Sequence, residues 1–199
     1  MDIDDLLRSR RSIRRFTTES VPLAAIERLI ETATFAPSAH NRQPWRFAVV
    51  GDALLKSKLA DMMGTRFRQD LQEDHLAQEE IERRVERSRS RITSAPVVVI
   101  LCLDMSEMDQ YPDPLRQGAE RSMALQSVSM AGLQLLLAAH AAGLGGVWNC
   151  GPLFAQATVS QSLGLPATWE PQGMLLMGHP AEQPPARPRK PVQEVTIIR

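Results

Sequence analysis

Apolar and polar positions along this chain follow two periods. In residues 2–9, Ile3, Leu6 and Leu7 share one helical face. A second helix opens at Pro22, where proline is well tolerated, and its Leu23, Ile26, Leu29, Ile30 and Ala33 recur at helical spacing. Pro37 lies beyond its end. Residues 45–50 read as a strand, Gly51-Asp52 as a turn, and residues 53–63 as a third helix. Residues 66–94 are highly charged, with Leu71, Leu76, Ile81 and Val85 thinly spread among them. That pattern predicts a solvated helical excursion placed as a cap. The run APVVVILCL, residues 95–103, is continuously apolar and rich in β-branched residues, which predicts a central strand buried on both faces.

Residues 118–142 form the longest helical segment. Met123, Leu125, Val128, Met130, Leu133, Leu135, Leu136 and Leu137 crowd several of its sides. A helix apolar nearly all round is buried on more than one face, so this one is expected to meet a partner as well as its own core. Gly143 is placed to end it as a left-handed cap. GGVWNCG reads as a strand running into a loop, residues 154–163 as a short helix, and QGMLLMG as a last core strand. Residues 180–191 are proline-rich and extended. They lead to VQEVTIIR, an apolar strand with no hairpin partner nearby, which predicts addition to a distant sheet edge or to another subunit. The expected fold is α+β, a sheet sandwiched by helices, in one domain over residues 1–199.

Composition narrows the function. In a chain of 199 residues, 43% are hydrophobic, enough for one substantial core. Lys+Arg and Asp+Glu are both 23, so the basic excess of a nucleic-acid or anionic-membrane binder is absent. The N-terminus is charged and unlike a signal peptide, and the apolar run at 133–142 is short for a bilayer, so a cytoplasmic protein is expected. Cys102 and Cys150 make no disulfide framework. His40, His75, His140 and His179 lack metal-ligand spacing, so no metal is expected; His140, near a helix C-terminus, reads as a dipole partner or a packed residue. Walker, G-x-G-x-x-G and G-x-S-x-G motifs are missing, which leaves chemistry to a bound cofactor.

Three stretches carry candidate chemistry. Arg10, Ser12 and Arg14 alternate, so an extended segment turns all three to one side, a set suited to a phosphate or an anionic ring edge. Read alone, they fit a solvated basic turn better, since exposed arginines are common. Arg187, Arg189 and Lys190 form a second basic cluster, stiffened by interleaved prolines, or else a surface arm. APSAHNRQPW, residues 36–45, holds more side chains that donate and accept than a turn requires.

Taken in order, RRSIRRF, APSAHNRQPWRF, GLGGVW and MGHPAEQPPARPRKP resemble the FMN-dependent nitroreductase family over essentially the whole chain. The resemblance implies a homodimer with a mixed sheet flanked by helices, long helices packed across the dimer, a domain-exchanged C-terminal arm, and FMN between subunits. It implies a cofactor-binding set of Arg10, Arg11, Ser12 and Arg14, with Arg10 and Ser12 on the phosphate and Arg14 at the pyrimidine edge, where it tunes the flavin. Arg189, with Lys190 or Arg187, closes on the phosphate. Pro37, Ser38, Ala39 and Asn41 come from the other subunit, and Gln43, Pro44 and Trp45 fix that loop. Val147, Trp148, Asn149 and Gly151 run along the flavin face. NADH or NADPH is the implied donor. One departure stands out: many members place a mid-chain asparagine near flavin N5 and O4, and this chain has none between residues 51 and 96. Arg66 or Arg68 is the candidate substitute.

Within that family, IERRVERSRSRITSAPVVVI, QYPDP and LFAQATVSQSLGLPATWEPQGMLLMGHP resemble the FMN-binding C-terminal domain of the bifunctional protein of coenzyme F-420 biosynthesis. That resemblance implies hydride transfer through flavin N5 to a conjugated acceptor such as a dehydro-deazaflavin. The alternatives are a general NAD(P)H-dependent nitro- or quinone reductase and a non-catalytic flavin-binding module.

Overall fold

A computed structural model describes residues 2–199. Helix α1 (Ile3–Ser9) starts where the Asp2 carboxylate accepts the Asp4 N–H. Helix α2 (Leu23–Ala33) follows Pro22 and buries Ile26, Leu29 and Ala33 at the predicted spacing. A 3-10 turn (Ala39–Asn41) leads into strand β1 (Trp45–Val50), which has the predicted bounds. Helix α3 (Ala53–Glu73) is capped by the Asp52 side chain and runs well past the expected end at residue 63. Helix α4 (Gln78–Ser94) folds back on it, and Leu71, Ile81 and Val85 form a small core between the two. The charged excursion is therefore a helical hairpin.

Strand β2 (Val97–Asp104) is buried along its whole length. Helix α5 (Pro114–Ala141) begins earlier than residue 118, because the Asp113 carboxylate accepts the Arg116 N–H at 2.9 Å and Pro114 suits the first turn. Strand β3 (Gly145–Asn149), helix α6 (Gly151–Phe154), helix α7 (Gln156–Leu163) and strand β4 (Trp169–Gly178) follow. The single helix expected over 154–163 is broken at Ala155, whose φ is −140°.

The sheet order is β1-β2-β4-β3, with every strand pair antiparallel. The parallel part of the expected mixed sheet is one isolated bridge, Ser12 to Gly146. Alternation along β2 explains its double burial. Val97, Val99, Leu101 and Leu103 face the core built by α2 and α5, whereas Val98, Ile100 and Cys102 face the core built by α3 and α7.

By length and apolarity alone α5 is sufficient to cross a membrane. Here it packs on the sheet and on α2 through Ala124, Val128, Ala131 and Leu135, while Met130 and Leu133 stay exposed. The expected C-terminal strand is not formed. Val192–Val195 makes one helical turn, α8, and Ile197 and Ile198 are exposed. A lone strand has no partner for its backbone groups within this chain, so the segment closes locally through Glu194 N–H to Pro191 O at 3.0 Å.

Candidate functional site

The site begins where α1 ends. The Arg11 guanidinium donates to the carbonyls of Arg8 at 2.6 Å and Arg10 at 2.9 Å, which caps the helix C-terminus. Arg11 therefore caps α1 while lining the same cavity as Arg10 and Ser12. The chain then extends, and Ile13 N–H donates to Gly146 O at 3.1 Å. Close approach requires glycine at 145: a Cβ there would lie 2.8 Å from the Ile13 side chain. Thr17 N–H donates to His179 O, and Ala181 N–H donates to Arg15 O. Residues 12–17 are thus held between β3 and the start of the proline-rich tail.

This lacing brings the two basic clusters together. Arg10, Arg11, Ser12 and Arg14 line one cavity of about 300 Å³ with Arg187 and Arg189. No ion pair among the described residues engages Arg10, Arg14, Arg187 or Arg189. The acid beside them, Glu182, accepts the Arg14 backbone N–H at 2.7 Å instead. Lys190 does not line the cavity, whereas Arg187, the expected alternative to it, does. His140 shares a 2.9 Å hydrogen bond with Ser9 Oγ. Burial, and then the charges of Arg10 and Arg11, push its pKa below the usual histidine value, so at neutral pH it is a packed neutral ring rather than a charged dipole partner.

Strand β3 offers main chain rather than side chains. Gly146 O faces outward to Ile13, and backbone groups alternate along a strand, so the Trp148 N–H and C=O face the same open edge. The Val147 side chain is buried in the α3/α7 core. The Trp148 indole packs where Gly132 and Gly173 leave room and donates Nε1–H to Cys150 Sγ at 3.2 Å. Neither residue lines the cavity that holds Arg10 and Ser12. Asn149 Oδ1 accepts Gly151 N–H at 2.7 Å and turns the chain into α6.

Asn149 and Gly151 do reach a second cavity, of about 560 Å³, under the α3–α4 hairpin. Met63, Phe67 and Phe154 give it apolar walls, and Arg66, Arg84, Arg87 and Arg91 add guanidinium groups. Of the two candidate substitutes for the missing asparagine, Arg66 is present here, paired with Asp70 at 2.6 Å. Arg68 is not: it forms a two-point bond to Glu82 at 2.9 Å on another face of the hairpin. Arg91 was hidden in a run of arginines, and no sequence signal separates it from them. It is half-buried, and its pKa is pushed down by burial first and then by the charges of Arg87 and Arg14.

The loop over residues 36–45 has an uncommon backbone held by hydrogen bonds. His40, Asn41 and Gln43 have φ of 51°, 53° and 50°, a left-handed region that non-glycine residues seldom occupy. Hydrogen bonds hold them there: Gln43 N–H to Ser38 Oγ and Ala39 N–H to Ser127 Oγ on α5, each at 3.2 Å, and Gln43 Nε2 to Asn41 Oδ1 at 3.3 Å. Arg42 pairs with Asp109 at 2.6 Å. Pro37, Ser38, Ala39 and Asn41 line neither cavity of their own chain. No group of three or more His, Cys, Asp or Glu side chains gathers among the described residues as a metal cluster would.

Residues 7–179 match the sequence model of the Nitroreductase family. A Bacillus subtilis protein named for NAD(P)H nitroreductase activity is 28% identical over 190 residues, spanning 96% of this chain and 90% of that one. A BluB-like flavoprotein from Clostridium difficile superposes with a TM-score of 0.82 at 24% identity, over 100% of both chains. A Desulfovibrio desulfuricans protein named as a nitroreductase, solved in complex with FMN, superposes with a TM-score of 0.76 at 26% identity, over 100% of this chain and 97% of that one.

Proposed function

The chain belongs to the nitroreductase family, and we propose that it works as an FMN-dependent oxidoreductase, with NADH or NADPH as donor and a nitro compound or quinone as acceptor. The observation that carries this is the cavity of about 300 Å³ in which arginines from both ends of the chain converge without acidic partners. A group with a phosphate fits that donor set. Arg10, Arg187 and Arg189 supply charge-assisted hydrogen bonds, and the Ser12 hydroxyl adds a neutral one. When bound, FMN supplies the hydride chemistry, accepting and delivering at N5.

The protein's own work is positioning and electrostatics. Arg14, exposed and unpaired, offers a fixed cation to a ring edge and favours negative charge there. The open edge of β3 presents the Trp148 N–H and C=O. Met63, Phe67 and Phe154 add apolar surface to the adjoining space, against which a ring can pack.

The flavin site is read as shared between two copies in a cytoplasmic homodimer. Exposed Met130 and Leu133 on α5, and exposed Val195, Ile197 and Ile198 in the tail, support association. The 36–45 loop supports it too, since its four expected flavin residues line neither cavity of their own chain. A second reading for the acceptor is a dehydro-deazaflavin, favoured by the guanidinium groups under the hairpin.

The test is direct. Purified protein is expected to show a yellow flavin spectrum, to bleach with NADH or NADPH without oxygen, and to recover colour on adding menadione or a nitroaromatic. A colourless protein that takes up no FMN sinks the proposal. A yellow protein reduced by dithionite but by neither nicotinamide is the non-catalytic module. Incubation with the dehydro-deazaflavin precursor, read by mass, decides the second acceptor.

A further inference from the structure

We propose that the cavity under the α3–α4 hairpin is a binding site for an acceptor that joins a flat apolar ring system to a carboxylate, sulfonate or phosphate, with Arg87 and Arg91 holding the anion. This deepens the oxidoreductase reading and rests on it for the identity of the bound molecule as an acceptor.

The argument starts from which arginines of the hairpin have partners. Arg66 pairs with Asp70, Arg68 with Glu82, Arg83 and Arg84 with Glu80, and Arg89 with Asp61. Arg87 and Arg91 are in no ion pair among the described residues, although both line the cavity. They stand four apart on α4, so they share one face, and like charges at that spacing repel. Arg87 acts on Glu80 only at longer range. A helix that neutralises its other arginines and leaves this adjacent pair bare has a place for a mobile anion.

Shape and charge agree. The walls hold four guanidinium groups against the carboxylates of Asp70 and Asp74, and Asp70 is already engaged by Arg66. Phe67 and Phe154 give flat apolar surface for a ring. Asn149 and Gly151 bring the end of β3 to the same space, so a ring there sits beside the main chain that the flavin reading uses. At about 560 Å³ the cavity suits a bicyclic or larger molecule. Arg91 is half-buried and its pKa is pushed down by burial and by its cationic neighbours, which an incoming anion relieves.

Calorimetry on FMN-loaded protein with 2-naphthoate and with 2-naphthalenemethanol reads the site without turnover. The expected result is naphthoate binding at least tenfold tighter than the alcohol, weakened at least tenfold in Arg87→Gln/Arg91→Gln and by raised salt, with the alcohol unchanged within twofold. Equal affinity for the two probes, an equal loss of both in the double variant, or loss of naphthoate binding on FMN loading each overturns the proposal. Steady-state rates with menadione and with 1,2-naphthoquinone-4-sulfonate give the second readout: the sulfonate is expected to lose at least tenfold more kcat/KM than menadione in the double variant, through KM. A protein that takes up no FMN but still binds naphthoate through Arg87 and Arg91 separates failure of the oxidoreductase reading from failure of the anion site.

Discussion

Gly132 and Trp148 interlock: a Cβ built on Gly132 would lie 2.2 Å from Cζ3 of the Trp148 indole and 2.8 Å from Leu101 Cδ1. A glycine inside α5 weakens the helix by about 1 kcal/mol against alanine, yet here the ring needs the space. Gly132→Ala is expected to destabilise by about 2 kcal/mol and lower Tm by about 6 °C, through overpacking. Gly118 lies on the same helix with nothing within 4 Å of its Cβ position. Gly118→Ala should therefore stabilise by up to about 1 kcal/mol. Thermal denaturation of both variants checks the pair, and equal effects would show that Trp148 does not fix position 132.

Asp104 closes the end of β2 and is buried at 5% exposure. It accepts from the Ser106 hydroxyl at 2.6 Å and N–H at 3.0 Å, and pairs with Arg46 at 3.3 Å. Burial pushes its pKa up, but these bonds and the Arg46 charge outweigh burial and leave it below the usual carboxylate value. With the folded pKa lowered, the stabilisation is present above the unfolded value of about 3.9 and is lost as pH falls through the folded one. Asp104→Asn is expected to cost about 2 kcal/mol at pH 7. That gap should narrow as the pH is lowered below about 4. Urea midpoints of both proteins at the two ends of that range measure it, and a gap that stays constant contradicts the assignment.

How much was legible depends on whether the cause was local. Strand β2 was readable because a continuous β-branched run admits one structure when helices cover both faces. The caps at Asp52 and Asp113 are local as well, yet the ends of α3 and α5 were misjudged, because charged helices lack a sharp apolar boundary. The tail could not be read as it stands, since a strand depends on an edge the sequence does not name. By spacing alone Arg10 and Arg189 each looked like an ordinary surface cation, and only the family resemblance placed both on one phosphate. Their meeting depends on the lacing of Ile13, Thr17 and Ala181 into β3 and the 179–182 segment, contacts too distant in sequence for spacing to reveal. Arg91 was invisible for the opposite reason, standing among too many of its kind.

The convergence of the clusters makes a graded prediction. Arg10→Ala and Arg189→Ala should each weaken FMN binding by about tenfold to a hundredfold, the loss of one charge-assisted bond. Lys190→Ala, outside the cavity wall, should change it less than about twofold, within the usual scatter of surface substitutions. Arg11→Ala should lower thermal stability through the lost cap on α1 more than it lowers flavin affinity. Fluorescence titration of the four apoproteins orders them, and a Lys190 effect as large as that of Arg189 refutes the order.

Arg14 separates tuning from holding. Its side chain is exposed and its guanidinium donates only to Ser12 O, at 3.2 Å. A cation at the flavin edge favours the reduced, more anionic form. Arg14→Ala should therefore lower the two-electron midpoint potential by about 30 mV, equivalent to about 1.4 kcal/mol. Tm should stay near that of the parent. Spectroelectrochemistry reads the potential, and an unchanged midpoint removes the assigned role even if turnover falls.

Leu133 tests whether two copies are needed. Its side chain is 50% exposed on α5, three residues from exposed Met130, so the two share one apolar face. In a twofold dimer the same patch meets itself, and one substitution acts twice. Burial of each leucine contributes about 1.5–3 kcal/mol, so light scattering is expected to show a dimer for the parent and a monomer for Leu133→Glu. Far-UV circular dichroism should be unchanged, because the core face of α5 is untouched. If the 36–45 loop of one copy serves the flavin of the other, the monomer should also lose FMN by at least tenfold in affinity. A folded monomer that keeps FMN at the parental affinity places the whole flavin site within one chain. A variant that stays dimeric moves the interface away from α5.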